Sequence, residues 1–142
     1  MRYVFLLLPI FLLAACQDEP PELTMETEES SASGILGSYS WSWWGGGTEQ
    51  SGSLPNETIH QMDVETITAA PGEAAELTFA DNSSPAVQAD TWDEDGPADR
   101  LDIEDGRLIL PEEPGTYPMD VFADWPDSHN SAHYTFLVEV EE

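Results

Sequence analysis

Four aspartates, Asp93, Asp95, Asp99 and Asp102, surround Gly96 in the run from Thr91 to Asp102. Alternating carboxylates beside a turn glycine are what a hard cation such as Ca2+ takes from a short segment. The fit to an EF-hand loop is poor. Thr91 and Asp102 stand where the first acidic ligand and the closing bidentate glutamate belong, and no helical pattern flanks them. An acidic chain also makes Asp-rich turns that bind nothing, so a solvated turn is the simpler reading. His129 and His133 stand four apart, with Asp124 and Asp127 close by. On a helix that spacing would present two imidazoles to zinc. In a hairpin loop entering a strand it does not, and a solvated loop is favoured. His60 stands alone.

A second candidate is aromatic. The stretch from Gly37 to Gly47 holds Tyr39, Trp41, Trp43 and Trp44, then three glycines. Tyr39, Trp41 and Trp43 alternate with Ser38, Ser40 and Ser42, so a strand puts the aromatics on one face. Outward, Tyr39, Trp41 and Trp43 would form a stacking platform for sugar rings, and a sugar-binding module would use Trp43, Trp44 and Tyr39. Inward, each ring buries about 150–250 Å2 of surface that a small core needs. A half-buried strand explains the alternation without a ligand, so the core reading is favoured. Trp44 falls on the serine face beside Gly45 and is the aromatic expected outside.

Catalytic signatures are absent. The chain has no Gly-x-Ser-x-Gly elbow, no phosphate-binding glycine loop and no paired-histidine metalloprotease motif. With 29 acidic residues, close carboxylate pairs are inevitable and argue for no glycosidase. A non-enzyme without a required cofactor is expected.

The N-terminus bears on location. Arg2 precedes an apolar run from Tyr3 to Leu13, too short for the ~20 residues of a membrane-spanning helix. A charged start, a short apolar run and small residues before a cut mark a secretory signal peptide. The sequence Leu13-Ala14-Ala15-Cys16 resembles the bacterial lipobox. That resemblance implies a diacylglycerol thioether on Cys16 and removal of residues 1–15. Cys16 is the only cysteine, so no intrachain disulfide competes for it.

Charge narrows the partners. The whole chain carries −26, and loss of Arg2 with residues 1–15 would make it −27, with Arg100 and Arg107 facing all 29 acids. Nucleic acid is excluded as a partner, because its affinity rests on Lys and Arg contacts to phosphate. Anionic lipid is likewise held only through the anchor. Charge this far from zero destabilises a compact state unless salt screens it. The composition suits a saline or alkaline exterior, halophilic or alkaliphilic in character.

Residues 16–34 are acidic and carry only Leu23 and Met25 as large apolar side chains beyond Cys16. Such composition predicts a disordered tether spanning about 25 Å. From Ile35 the period is two. Strands are expected at 64–68, 73–80, 86–92, 101–103, 108–110, 117–125 and 133–140. Asp105-Gly106 marks a tight hairpin, and residues 126–132 a longer one. Pro118 should sit at an edge or bulge. Residues 50–62 are expected to be mostly loop. About seven short strands over residues 35–142 make an all-β, antiparallel β-sandwich, with a small barrel as the alternative.

Gly37-Ser-Tyr-Ser-Trp41, Pro114-Gly-Thr-Tyr117, Val121-Phe-Ala-Asp-Trp125 and Tyr134-Thr-Phe-Leu-Val-Glu-Val140 resemble segments of small Gram-positive surface lipoproteins. The closing Pro-Gly-Thr-Tyr strand and hairpin are similar to the last two strands of immunoglobulin-like domains. The resemblance implies an immunoglobulin-like fold at the outer face of the cell membrane and assigns no catalytic residue. The expected function is a lipid-anchored binding or accessory module, its partner a neighbouring membrane or envelope protein or an extracellular ligand. The alternative is a cell-wall glycan module using exposed aromatics.

If the −27 charge governs stability, the melting temperature will rise between millimolar and molar NaCl, as the Debye length falls from tens of ångströms to about 3 Å. Millimolar CaCl2 will exceed equal ionic strength only if the Asp93–Asp102 segment binds the ion. A melting temperature indifferent to both salts would refute the charge argument.

Overall fold

The computed structural model describes residues 19–43 and 46–142. Among them, alternation of apolar and polar residues builds twelve strands and one helix. The strands are β1 (Leu23–Glu26), β2 (Ser31–Ser33), β3 (Ile35–Trp43), β4 (Gly46–Gln50), β5 (Thr66–Ala69) and β6 (Ala74–Phe79). They continue as β7 (Ala86–Asp93), β8 (Gly96–Leu101), β9 (Ile103–Glu104), β10 (Arg107–Ile109), β11 (Gly115–Trp125) and β12 (Asn130–Val140). Helix α1 is Pro55–Gln61. One sheet runs β2-β1-β6-β10-β9 and the other β4-β3-β12-β11-β7-β8. The two pack face to face as an all-β sandwich and do not close into a barrel.

The spine is the β11–β12 hairpin, paired from Gly115 opposite Val140 to Trp125 opposite Asn130. Met119, Val121 and Ala123 of β11 turn inward with Ala132, Tyr134, Phe136, Val138 and Val140 of β12. The second edge of β12 is shared. Its first half pairs with β3 and its last four residues pair with β5, in parallel. The turn of this hairpin is shorter than the expected 126–132, because Asn130 to Ala132 already pair. Pairing of β11 with β7 begins at Met119. Pro118 thus has a strand neighbour on one side only, as its missing N–H requires. Asp105 and Gly106 both adopt positive φ, 51° and 76°, the geometry of a type I′ turn between β9 and β10.

The acidic tether expected over 16–34 is corrected for its described part. β1 and β2 lie there, and β1 pairs with β6 from Leu23 opposite Phe79 to Glu26 opposite Glu76. Leu23 and Met25 are fully buried, and Pro20 and Pro21 are buried before them. The Tyr134 hydroxyl donates to the Pro21 carbonyl at 2.6 Å, and the Ala80 N–H to the Glu22 carbonyl at 2.9 Å. The physical reason is periodicity. Mean polarity over eighteen residues conceals a four-residue strand whose two inward positions are Leu23 and Met25. Beyond it the turn is fastened to the other sheet, since Thr27 Oγ1 donates to the Thr68 carbonyl at 2.6 Å and the Thr68 N–H donates to Ser30 Oγ at 2.7 Å. At Gly34 the chain crosses between sheets, where a Cβ would meet the Phe136 ring at 2.7 Å. Residues 1–15 and Cys16 lie outside the described residues.

The loop expected over 50–62 is also corrected. It contains α1, opened by Pro55 at its first turn, with Pro55 and Thr58 buried. The helix lies across β7, β11 and β12. At seven residues it is too short to show a helical period in the sequence.

Leu23→Ala removes a fully buried side chain and should destabilise the domain by about 2–5 kcal/mol. Thr24→Ala, on the same strand but half-exposed, should change stability by less than about 1 kcal/mol. Chemical denaturation measures both. Equal midpoints for the two variants would restore the tether.

Candidate functional site

The aspartates proposed for calcium follow an extended hairpin. Asp93 and Asp95 flank the β7–β8 turn, where Asp93 Oδ1 accepts the Asp95 N–H at 2.8 Å. Asp99 lies on β8 and donates its N–H to Thr91 Oγ1 at 3.2 Å. Asp102 lies between β8 and β9, its carbonyl accepting the Ile109 N–H at 2.9 Å. A strand rises about 3.3 Å per residue and alternates its faces, so this backbone spreads the carboxylates apart. Among the described residues no group of three His, Cys, Asp or Glu side chains is placed to hold a metal.

The aromatic candidates divide. Tyr39 is half-buried and packs against the core. Trp41 is 6% exposed and meets Trp125 edge to face, ring centroids 5.0 Å apart. Trp125 also meets Phe79 at 5.3 Å, and Phe79 meets Tyr134 at 6.0 Å. These rings close one end of the sandwich. Burial and the Asp81 charge push the Tyr134 phenol well above its usual value. The backbone of Trp43 pairs with Gly46; its side chain, and Trp44 entirely, lie outside the described residues.

The polar site lies on the outer face of the larger sheet, under the start of α1. A cleft of about 100 Å3 is lined by Gly37 and Ser38 of β3, Trp92 of β7, Asp120 of β11, His133 and Thr135 of β12, and Ser53, Leu54 and Pro55. Strand register assembles it. Asp120 stands opposite Thr135 on one side and Asp90 on the other. His133 is a diagonal neighbour, and its Nδ1 lies 2.9 Å from Asp120 Oδ2. Asp90 in turn accepts from Arg100 Nε at 2.8 Å. Two cross-strand carboxylates that would repel are therefore each given a partner, Asp90 the Arg100 guanidinium and Asp120 the His133 ring, a cation when protonated. One of the two arginines in the described residues is placed here.

Burial sharpens the chemistry. Asp120 is 8% and Thr135 2% exposed, and the Phe122 ring flanks His133 at 4.6 Å. The hydrogen bond to Asp120 raises the His133 pKa above its ordinary 6.5, desolvation opposes this, and the Asp120 charge adds to it. The Trp92 indole Nε1 and Asn56 Oδ1 are buried without a hydrogen-bond partner. Each such group costs about 1–3 kcal/mol while unpaired. The Ser38 hydroxyl accepts from the Gly52 N–H at 2.9 Å, and the Ser53 hydroxyl donates to Gln61 at 3.4 Å. Neither serine is bonded to His133. The arrangement offers oriented donors and acceptors around a small space, which is what recognition of a small polar group needs.

The sequence alone sets His133 beside Asp124 and Asp127 and does not point to Asp120, because a turn spanning 126–132 gives a different register. A turn of four residues between Trp125 and Asn130 makes Asp120 and His133 diagonal partners. His129 sits in that turn with φ 59° and shares no bond with His133. No protein-family model matches the chain, and no curated protein or solved structure matches it.

The raised His133 pKa fixes a sign. The folded state favours the protonated ring, so its stabilisation is fully present below about pH 6.5. It is lost as pH rises through the raised folded value. Melting temperature should fall between pH 6 and pH 9, and Asp120→Asn should flatten that slope. An unchanged slope in the variant would remove the pair from the explanation.

Proposed function

We propose that this protein is a lipid-anchored binding module on the outer face of the cell membrane, with no catalytic activity of its own. One observation carries the binding half. A cleft under α1 gathers a buried carboxylate, an oriented histidine and Trp92, whose buried indole N–H lacks an acceptor. The anchoring half is supported by the apolar run ending in Leu13-Ala14-Ala15-Cys16. Among the described residues no helix is long and apolar enough to cross a membrane.

The early start of the sandwich shortens the reach of such an anchor. Four peptide steps join Cys16 to buried Pro20, at most about 14 Å when fully extended. The domain would ride at head-group level, and an envelope protein in the same membrane would meet it there. A glycan platform, the alternative, would rest on Trp43 and Trp44, since Tyr39 packs against the core.

Cys16→Ser should release the protein from cells or leave an uncleaved precursor. Metabolic labelling with a fatty acid gives the check. Equal label on variant and parent would end the anchoring reading.

A further inference from the structure

We propose that the cleft under α1 binds the hydroxyl groups of an uncharged polyol or sugar. This deepens the binding-module reading by naming the ligand chemistry, and it does not depend on the lipid anchor.

An apolar ligand would leave the buried Trp92 N–H without compensation. An anion would have to approach a domain of extreme negative charge. It would then settle beside Asp120, with Asp90 directly across the strand pair. A hard cation needs several convergent oxygen ligands. Among the described residues no such group of carboxylates is assembled, and one Asp120 oxygen is already committed to His133. What remains is a neutral group that both accepts and donates. A hydroxyl does both, accepting from the Trp92 indole and donating to a carboxylate or hydroxyl oxygen.

Size and placement agree with that class. A volume of about 100 Å3 equals about three waters at ~30 Å3 each. It admits a pair of hydroxyls with their carbons rather than an entire sugar ring. The His133 side chain is 43% exposed, so the remainder of a larger molecule has a route outward. Ser38, Ser53 and Thr135 add hydroxyls to the wall. One chemistry therefore covers two sources, a free polyol and a terminal sugar of a glycan.

The test uses the full chain in detergent, labelled with 15N, and follows the indole N–H resonances. Trp92→Phe keeps an aromatic ring and deletes the donor, so it assigns the Trp92 signal. Titration with glycerol and with glucose should shift that signal saturably, at millimolar concentrations. Tighter binding of glycerol identifies a free polyol, and tighter binding of glucose identifies a glycan sugar; both support the proposal. Glycerol 3-phosphate and 1-propanol should each bind at least tenfold more weakly. In Trp92→Phe and in Asp120→Asn, followed through shifts of the Thr135 amide, affinity should fall about tenfold. A circular dichroism melt of each variant confirms that it is folded.

Several results overturn the proposal. One is a linear drift shared by all indole signals. Another is binding of 1-propanol or glycerol 3-phosphate as tight as that of glycerol. The last is unchanged affinity in both folded variants. Any of these, in a protein that Cys16→Ser still releases from cells, sinks the hydroxyl site and leaves the anchored module standing.

Discussion

The antiparallel pairing of β11 with β12 determines where the rest of the larger sheet goes. Its two eleven-residue strands alternate faces in step, so one register decides both what is buried and what is presented. Inward it delivers Val121 and Tyr134 as a cross-strand pair to the core. Outward it delivers Asp120 and Phe122 beside His133 and Thr135. A slip of one residue would put the carboxylate among the aliphatic side chains. The cleft and the core therefore stand or fall on the same hydrogen-bond ladder.

The scarcity of positive charge gives the outer face its logic. The described residues contain two arginines, and each is spent on a single carboxylate, Arg100 on Asp90 and Arg107 on Glu76. The Arg107 pair is more than half exposed on both sides and contributes little. Asp120, much more buried, is matched by a histidine instead. That choice makes the most enclosed part of the outer face responsive to pH through His133.

Much of the fold was legible in the sequence. Clean alternation in 117–125 and 133–140, and the Asp105-Gly106 turn, led directly to the strands found there. The core position of Trp41 followed from the serine residues on its other face. Four things were not legible. β1 has only Leu23 and Met25 to declare it, and a composition average erased them. α1 is shorter than two full periods of the pattern that identifies helices. The partnership of Asp120 with His133 is a matter of register, which depends on a turn length that the residues Pro126 to His129 do not announce. Trp92 was read as part of a strand, and its buried N–H is a property of the packed neighbours alone.

The hydrogen bond from Tyr134 to the Pro21 carbonyl joins positions 113 residues apart. The first strand pairs with β2 and β6 early in the chain, but the larger sheet that covers it, Tyr134 included, is complete only with the last strands. Contacts of such sequence separation slow folding, because the loop must close before the contact repays it. A ribosome that still held the final thirty residues would hold a chain unable to complete its sandwich. The smaller sheet can pair before the C-terminal hairpin is made, but the face it packs against cannot.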